Sequence, residues 1–186
     1  MNSSEKISSP LCRKLQADLQ CYEVRHRGIL WAFFYLLTIP GFLALFLYRL
    51  SAFCRQKGGA WKHAATFFWR LNIFLNACDL APEALIGEGC YMPHPMGVVI
   101  GQAVIGAHSS IMQNVTIGKH HNDAYILDSY PKFGDHVTVS SGAAVLGAIT
   151  IGDNASIGAN AVVLKDVPAH RTAVGVPARI LPPEQA

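Results

Sequence analysis

The 186-residue sequence predicts a mainly β fold: a parallel β-helix of hexapeptide units, preceded by an α-helical region. Three observations predict it. A bulky apolar residue recurs at every sixth position through Phe133, Val139, Val145, Ile151, Ile157 and Val163. A small residue follows four of them, as Gly134, Ser140, Gly152 and Gly158. The chain also changes character near Asp79. Residues 1–78 hold ten Lys and Arg against three Asp and Glu, and most of the aromatics; residues 79–186 hold five against nine, and most of the glycines.

A step of six fits neither the helical period of 3.6 nor plain strand alternation. It is the signature of a parallel β-helix, in which each unit is a short strand plus a turn. No unit can bury its own apolar face, so successive coils must stack. Upstream the same step runs through Val99, Ile105, Ile111 and Ile117, and further back through Leu80 and Ile86. The period breaks twice. From Ile86 to Val99 is two units plus one residue, and the extra residue falls in 92–98. From Ile117 to Phe133 is two units plus four, which predicts that the polar stretch 119–131 leaves the coil as a loop. Both interruptions carry histidine, and loops on a rigid scaffold are where binding and chemistry concentrate.

The first half divides into three helical segments. Residues 10–27 place Leu11, Leu15, Leu19 and Tyr22 on one face. Residues 29–48 contain no charge and are long enough to span a bilayer. Pro40-Gly41 in their middle predicts two short helices joined by a turn instead. Both flanks are basic, so no charge asymmetry orients a single crossing. Residues 60–76 interleave Trp61, Phe67, Phe68, Trp69 and Phe74 with Lys62 and Arg70. The expectation is a hairpin in or on a membrane; helices buried in an oligomer and a true span are the alternatives.

Only 15% of residues are charged, against about 25% in a typical soluble domain. The five cysteines (Cys12, Cys21, Cys54, Cys78, Cys90) form no C-x-x-C pair, which argues against a disulfide framework or a Cys-based zinc site. The polar start MNSSEKISSP lacks the apolar run of a secretory signal, so the expected location is cytoplasmic. The cations of the first half accompany no nucleic-acid motif, and no nucleic-acid partner is expected.

The stretch from Asp79 to Ile180 resembles the serine acetyltransferases and their relatives among the hexapeptide acyltransferases. The phrases that carry the likeness are DLAPEALIGEG, HPMGVVIG, QNVTIG, VLGAITIGDNASIGANAVVLKDVP and GVPARI. The stretch YLLTIPGFLALFLYRLSAFCRQKG is similar to the helix pair that precedes the β-helix in that family. The resemblance implies a left-handed β-helix, a homotrimer and acetyl-CoA as donor. The domain reading is residues 1–78 helical, 79–181 β-helix with loop 119–131, and 182–186 a tail.

An alcohol is a weak nucleophile at neutral pH, so acetyl transfer to one needs a base, and histidine suits that task. A carboxylate on the other ring nitrogen would hold the imidazole and stabilise its cation. The resemblance places the base at His94, in P-H-P-M-G, and its orienting carboxylate at Asp79, fifteen residues earlier. It places Ser141 and Ala159, eighteen residues or one coil apart, along the donor, and Lys165 and Arg179 at its phosphates. Loop residues His120 and His121, with Tyr130, are the acceptor-site candidates. His108, His136 and His170 fall in repeat turns and read as surface residues. No metal site is expected.

Three positions depart from the serine acetyltransferase pattern. Pro93 stands where the family has Asp before the histidine, VRHRG (24–28) lacks the carboxylate of an R-x-R-D-P-like segment, and Tyr130 in S-Y-P-K replaces a second histidine. A site without those carboxylates lacks the charges that select an amino acid. The sequence therefore reads as an acetyl-CoA-dependent O-acetyltransferase acting on a sugar hydroxyl of a lipid-linked exopolysaccharide or capsule unit at the inner face of the membrane. This is similar to the enzymes of the colanic acid branch. Serine O-acetylation is the alternative, and a non-catalytic trimeric scaffold is an alternative of another class.

Overall fold

The computed structural model describes residues 10–24, 29–119 and 129–182. Its body is a parallel solenoid whose strands lie on three faces. Face one stacks β1 (Asp79–Leu80), β3 (Val99–Ile100), β6 (Thr116–Gly118), β9 (Ala144–Leu146) and β12 (Val162–Val163). Face two stacks β2 (Leu85–Ile86), β4 (Val104–Ile105), β7 (Lys132–Phe133) and β10 (Thr150–Ile151). Face three stacks β5 (Ser110–Ile111), β8 (Thr138–Val139), β11 (Ser156–Ile157), β13 (Thr172–Val174) and β14 (Arg179–Ile180). All pairings are parallel except the last, where β14 turns back antiparallel on β13.

The six predicted positions from Phe133 to Val163 are all buried, as are Leu80, Ile86, Ile105, Ile111 and Ile117. Each unit also buries a second residue two positions earlier, such as Val137, Ala143, Ile149, Ala155 and Ala161. Side chains of a strand alternate between faces, so both positions point inward.

Three spacing expectations are corrected. Val99 is 42% exposed, and Ile100 beside it is the core residue at 1%. Ile100 aligns with Leu80 and Ile117 on face one. The unit from Ile100 to Ile105 therefore has five residues, and the displaced register sets Val99 outward. Second, Met92 is fully buried and Tyr91 bridges to Ser110, which puts Met92 at the inward position of face three. The enlarged step is thus Met92 to Ile100, eight residues, with two extra where one was expected. Third, Ile117 and Phe133 lie on successive faces. They are one unit apart, and the inserted loop holds ten extra residues where four were expected.

The helical region comprises α1 (Leu11–Gln20), α2 (Ile29–Thr38), α3 (Pro40–Lys57) and α4 (Trp61–Asn76). α1 stops at Gln20, short of the expected residue 27, and a turn ending in left-handed Glu23 (φ 52°) follows. Ile39 breaks the apolar stretch, and Pro40 sits in the first turn of α3, where its missing N–H costs nothing. α3 then continues to Lys57, beyond the expected end at 48. Left-handed Gly58 and Gly59 turn the chain into α4, which packs against α3. Buried polar groups stitch the pair: Ser51 Oγ donates to the Ala65 carbonyl (2.7 Å) and Asn72 Nδ2 to the Ala44 carbonyl (3.0 Å).

Among the described residues no single helix is long and apolar enough to cross a membrane. The pair Leu30–Thr38 and Pro40–Lys57 meets the length and composition test only together, and it is bent by 108° at Ile39.

Candidate active site

The enlarged corner Met92–Ile100 joins faces three and one, and His94 lies in it. Both ends of the corner are tied to the segment just before and into β1. The Gly97 amide donates to the Ala77 carbonyl (2.9 Å), and the Asp79 amide donates to the Val98 carbonyl (2.9 Å). At the other end Met92 Sδ lies 3.9 Å from Cys78 Sγ in the interior. The loop that carries His94 is therefore closed over residues 77–79. Asp79 is half-buried at its base and His94 is exposed.

The Asp79 carboxylate has a partner that sequence reasoning missed. Trp69 Nε1 on α4 donates to Asp79 Oδ1 at 2.8 Å. Among the described residues Asp79 Oδ2 and the His94 imidazole form no hydrogen bond. Spacing rules give no sign of Trp69, because it depends on how α4 packs against β1. Burial, followed by the neighbouring Asp79 charge, pushes the Cys78 thiol up to about 12, so this thiol is inert beside the site.

The helices buttress the corner. Tyr22 Oη donates to the Met92 carbonyl (3.0 Å) and accepts from the Met92 amide (3.3 Å). Burial raises the phenol well above its ordinary range, against the Met92 backbone bond, so it stays protonated. Gly41 explains the Pro-Gly pair more fully than a turn does. A Cβ there would fall inside contact distance of the Met92 carbonyl and the Tyr22 hydroxyl, so only glycine lets the start of α3 meet the corner this closely.

The other predicted residues sort by edge of the prism. The Asn114 amide donates to the Met96 carbonyl, Gly142 to Gln113, and Asn160 to Ser141. These bonds stack Ser141 and Ala159 in successive coils along the edge that carries His94. Lys165 follows Val163 on a different edge, between faces one and two. There it lines a cavity of about 210 Å³ with Val163, Val167, Ala173, Ala178 and Ile180. Arg179 is exposed on β14, between two of those lining residues. Tyr130 is half-buried just before β7, on the same edge as Lys165, and Lys132 Nζ lies 5.9 Å from its ring centroid. One chain thus places His94, Ser141 and Ala159 along one edge, with Asp79 bonded through its amide to Val98 of the His94 corner, and it holds Tyr130 and Lys165 on another edge. His120 and His121 lie outside the described residues.

His108, His136 and His170 occupy exposed turns, with φ of 55°, 59° and 59°. They stack on one further edge, and the His108 and His136 rings lie 5.1 Å apart.

A three-faced parallel solenoid of six-residue units defines the hexapeptide-repeat class, and here an enlarged corner that carries His94 is bonded to the strand that Asp79 opens. The comparisons agree. Residues 130–165 match the family model "Bacterial transferase hexapeptide (six repeats)". Serine acetyltransferase of Salmonella typhimurium is 37% identical over 179 residues, which cover 95% of this chain and 62% of that protein. Serine acetyltransferase of Helicobacter pylori is 40% identical over 147 residues, covering 78% of this chain and 84% of that protein. The structure of soybean serine acetyltransferase complexed with serine matches with a TM-score of 0.82 and 36% identity, covering 96% of this chain and 72% of that one. The chain belongs to the hexapeptide-repeat acetyltransferase family of the serine acetyltransferase type. It spans less than two thirds of the length of the Salmonella relative.

Proposed function

We propose that the chain transfers the acetyl group of acetyl-CoA to a hydroxyl group, with L-serine as the acceptor. The observation that carries the reading is the closure of the His94 corner over Asp79. In the reaction the His94 imidazole takes the hydroxyl proton as the oxygen bonds to the acetyl carbonyl carbon. The carbon–sulfur bond breaks, and the imidazolium returns the proton to the leaving thiolate. Asp79 stabilises the transient cation. Ser141 and Ala159 line the edge below His94 for the pantetheine arm, and Lys165 and Arg179 supply cations for the phosphates. The acceptor assignment is supported by the serine acetyltransferase relatives and by the soybean structure that holds serine.

The functional unit in this reading is a homotrimer. Its support is the separation of His94 from Tyr130 and Lys165 onto different edges of one chain. A three-fold arrangement brings one edge of each copy against a different edge of its neighbour.

A second reading keeps the chemistry and changes the acceptor to a sugar hydroxyl of a lipid-linked glycan, as in the colanic acid branch, at the inner face of the membrane. Two observations favour it. Pro93 stands before His94 where a carboxylate would hold an ammonium group, and Asp18 and Glu88 are already engaged by Arg49 and Arg13. Leu30, Phe33 and Leu37 are also 64–81% exposed on α2.

One assay separates the readings: thiol release from acetyl-CoA with free L-serine, and with membrane extracts bearing lipid-linked saccharides. Turnover with serine supports the first. Turnover with the extract alone overturns it in favour of the second, and release of no thiol with either overturns both.

A further inference from the structure

We propose that Trp69 is a positioning residue for the acetyl transfer: its indole N–H fixes the Asp79 carboxylate so that Oδ2 is the oxygen presented to His94. The inference rests on the reading of Asp79 and His94 as partners.

Asp79 opens β1 at the mouth of the solenoid, where no earlier coil stacks on it. A half-buried carboxylate there is free to rotate about its side-chain bonds unless something holds it. Trp69 supplies the hold at 2.8 Å, with a rigid ring that carries a single donor and no acceptor. The ring is itself constrained, half-buried with the Arg70 guanidinium carbon 5.4 Å from its centroid. An N–H at Oδ1 removes one of two equivalent oxygens from competition, leaving Oδ2 alone to meet the imidazole. The residue therefore acts through Asp79.

The test pairs kinetics with a spectroscopic readout. Trp69→Phe removes the donor and keeps a ring. It is expected to lower kcat about 10-fold, the order of one hydrogen bond to a charged group, with KM for acetyl-CoA unchanged. In ¹⁵N-labelled protein the Trp69 indole cross-peak, assigned by its loss in Trp69→Phe, should shift as the Asp79 carboxyl titrates. That shift should vanish in Asp79→Asn. Unchanged kcat in Trp69→Phe, where Asp79→Asn is impaired, overturns the inference and leaves the dyad standing. An indole signal indifferent to Asp79→Asn overturns it as well. Full activity in both Asp79→Asn and His94→Ala overturns the underlying reading, while the indole titration still reports whether the Trp69–Asp79 bond exists. If Trp69→Phe fails to fold, the wild-type and Asp79→Asn spectra, with the indole peak assigned by selective labelling, decide alone.

Discussion

Arg49 and Asp18 form a two-point ion pair that joins α3 to α1 in the interior, with Nε to Oδ2 at 3.0 Å and Nη2 to Oδ1 at 3.1 Å. The pair is 3% and 0% exposed. Both charges are bonded further: Arg49 also donates to the carbonyls of Ile86 and Gly87, and Asp18 Oδ1 accepts from the Cys90 amide (3.0 Å). The pair therefore pins two helices to the first coil, directly before the corner that carries His94. Removing one partner strands a buried charge. Arg49→Met should lose about 3–5 kcal/mol of stability by urea denaturation. The double variant Asp18→Leu/Arg49→Met should recover only part of it, because two carbonyls and an amide remain unpaired.

His94→Ala should lower the acetyl-transfer rate by about 10²–10⁴-fold, with the solenoid's far-ultraviolet circular dichroism unchanged. A fall of less than about 3-fold would remove His94 from the role of base, since its exposed side chain holds up nothing else.

Gly41→Ala should reduce activity without unfolding the chain. The added methyl meets the Met92 carbonyl and forces α3 or the corner to move, which displaces His94. Gly58→Ala, where the space is open, serves as the control: it strains a left-handed turn far from the corner and should leave turnover intact while lowering the melting temperature.

The five thiols should react in three classes. Cys12 is exposed and Cys21 half-buried, while Cys54, Cys78 and Cys90 are buried. DTNB titration should show one fast thiol, one slower, and three that appear only in denaturant. Rapid modification of Cys78 would contradict the closed corner.

Lys14 carries a pH signature. Burial, then the nearby Arg49 charge, lowers it from 10.5 to about 8, against the pull of Asp18 and Glu88. The unfolded chain then holds a proton that the folded chain has released between about pH 8 and 10.5. Stability should rise with pH through that window. The gain is complete above the unfolded value and is lost as pH falls through the folded one. Lys14→Met should flatten the slope in urea titrations at a series of pH values.

Much of the fold was legible because the solenoid is nearly one-dimensional. A residue six positions on meets the same environment on the next face, so the buried positions from Phe133 to Val163 follow from spacing alone. Spacing failed where the chain departs from its step. Val99 and Ile100 are both β-branched, and only pairing with Leu80 and Ile117 decides which one faces inward. The break at Pro40 was readable from proline chemistry, whereas the end of α3 was not, because packing against α4 carries that helix through polar residues to Lys57.

The sequence by itself determined the repeat, the helical prelude, and the residue types at His94 and Asp79, because period, proline and motif are local properties. Only the tertiary structure decided that the His94 corner holds two extra residues and closes over residues 77–79. It also decided that Trp69 holds the Asp79 carboxylate, and that Tyr130 and Lys165 sit on a different edge from His94. Those are relations between segments, and they depend on how coils stack and how α3 and α4 lie against the first one. No spacing along the chain encodes them.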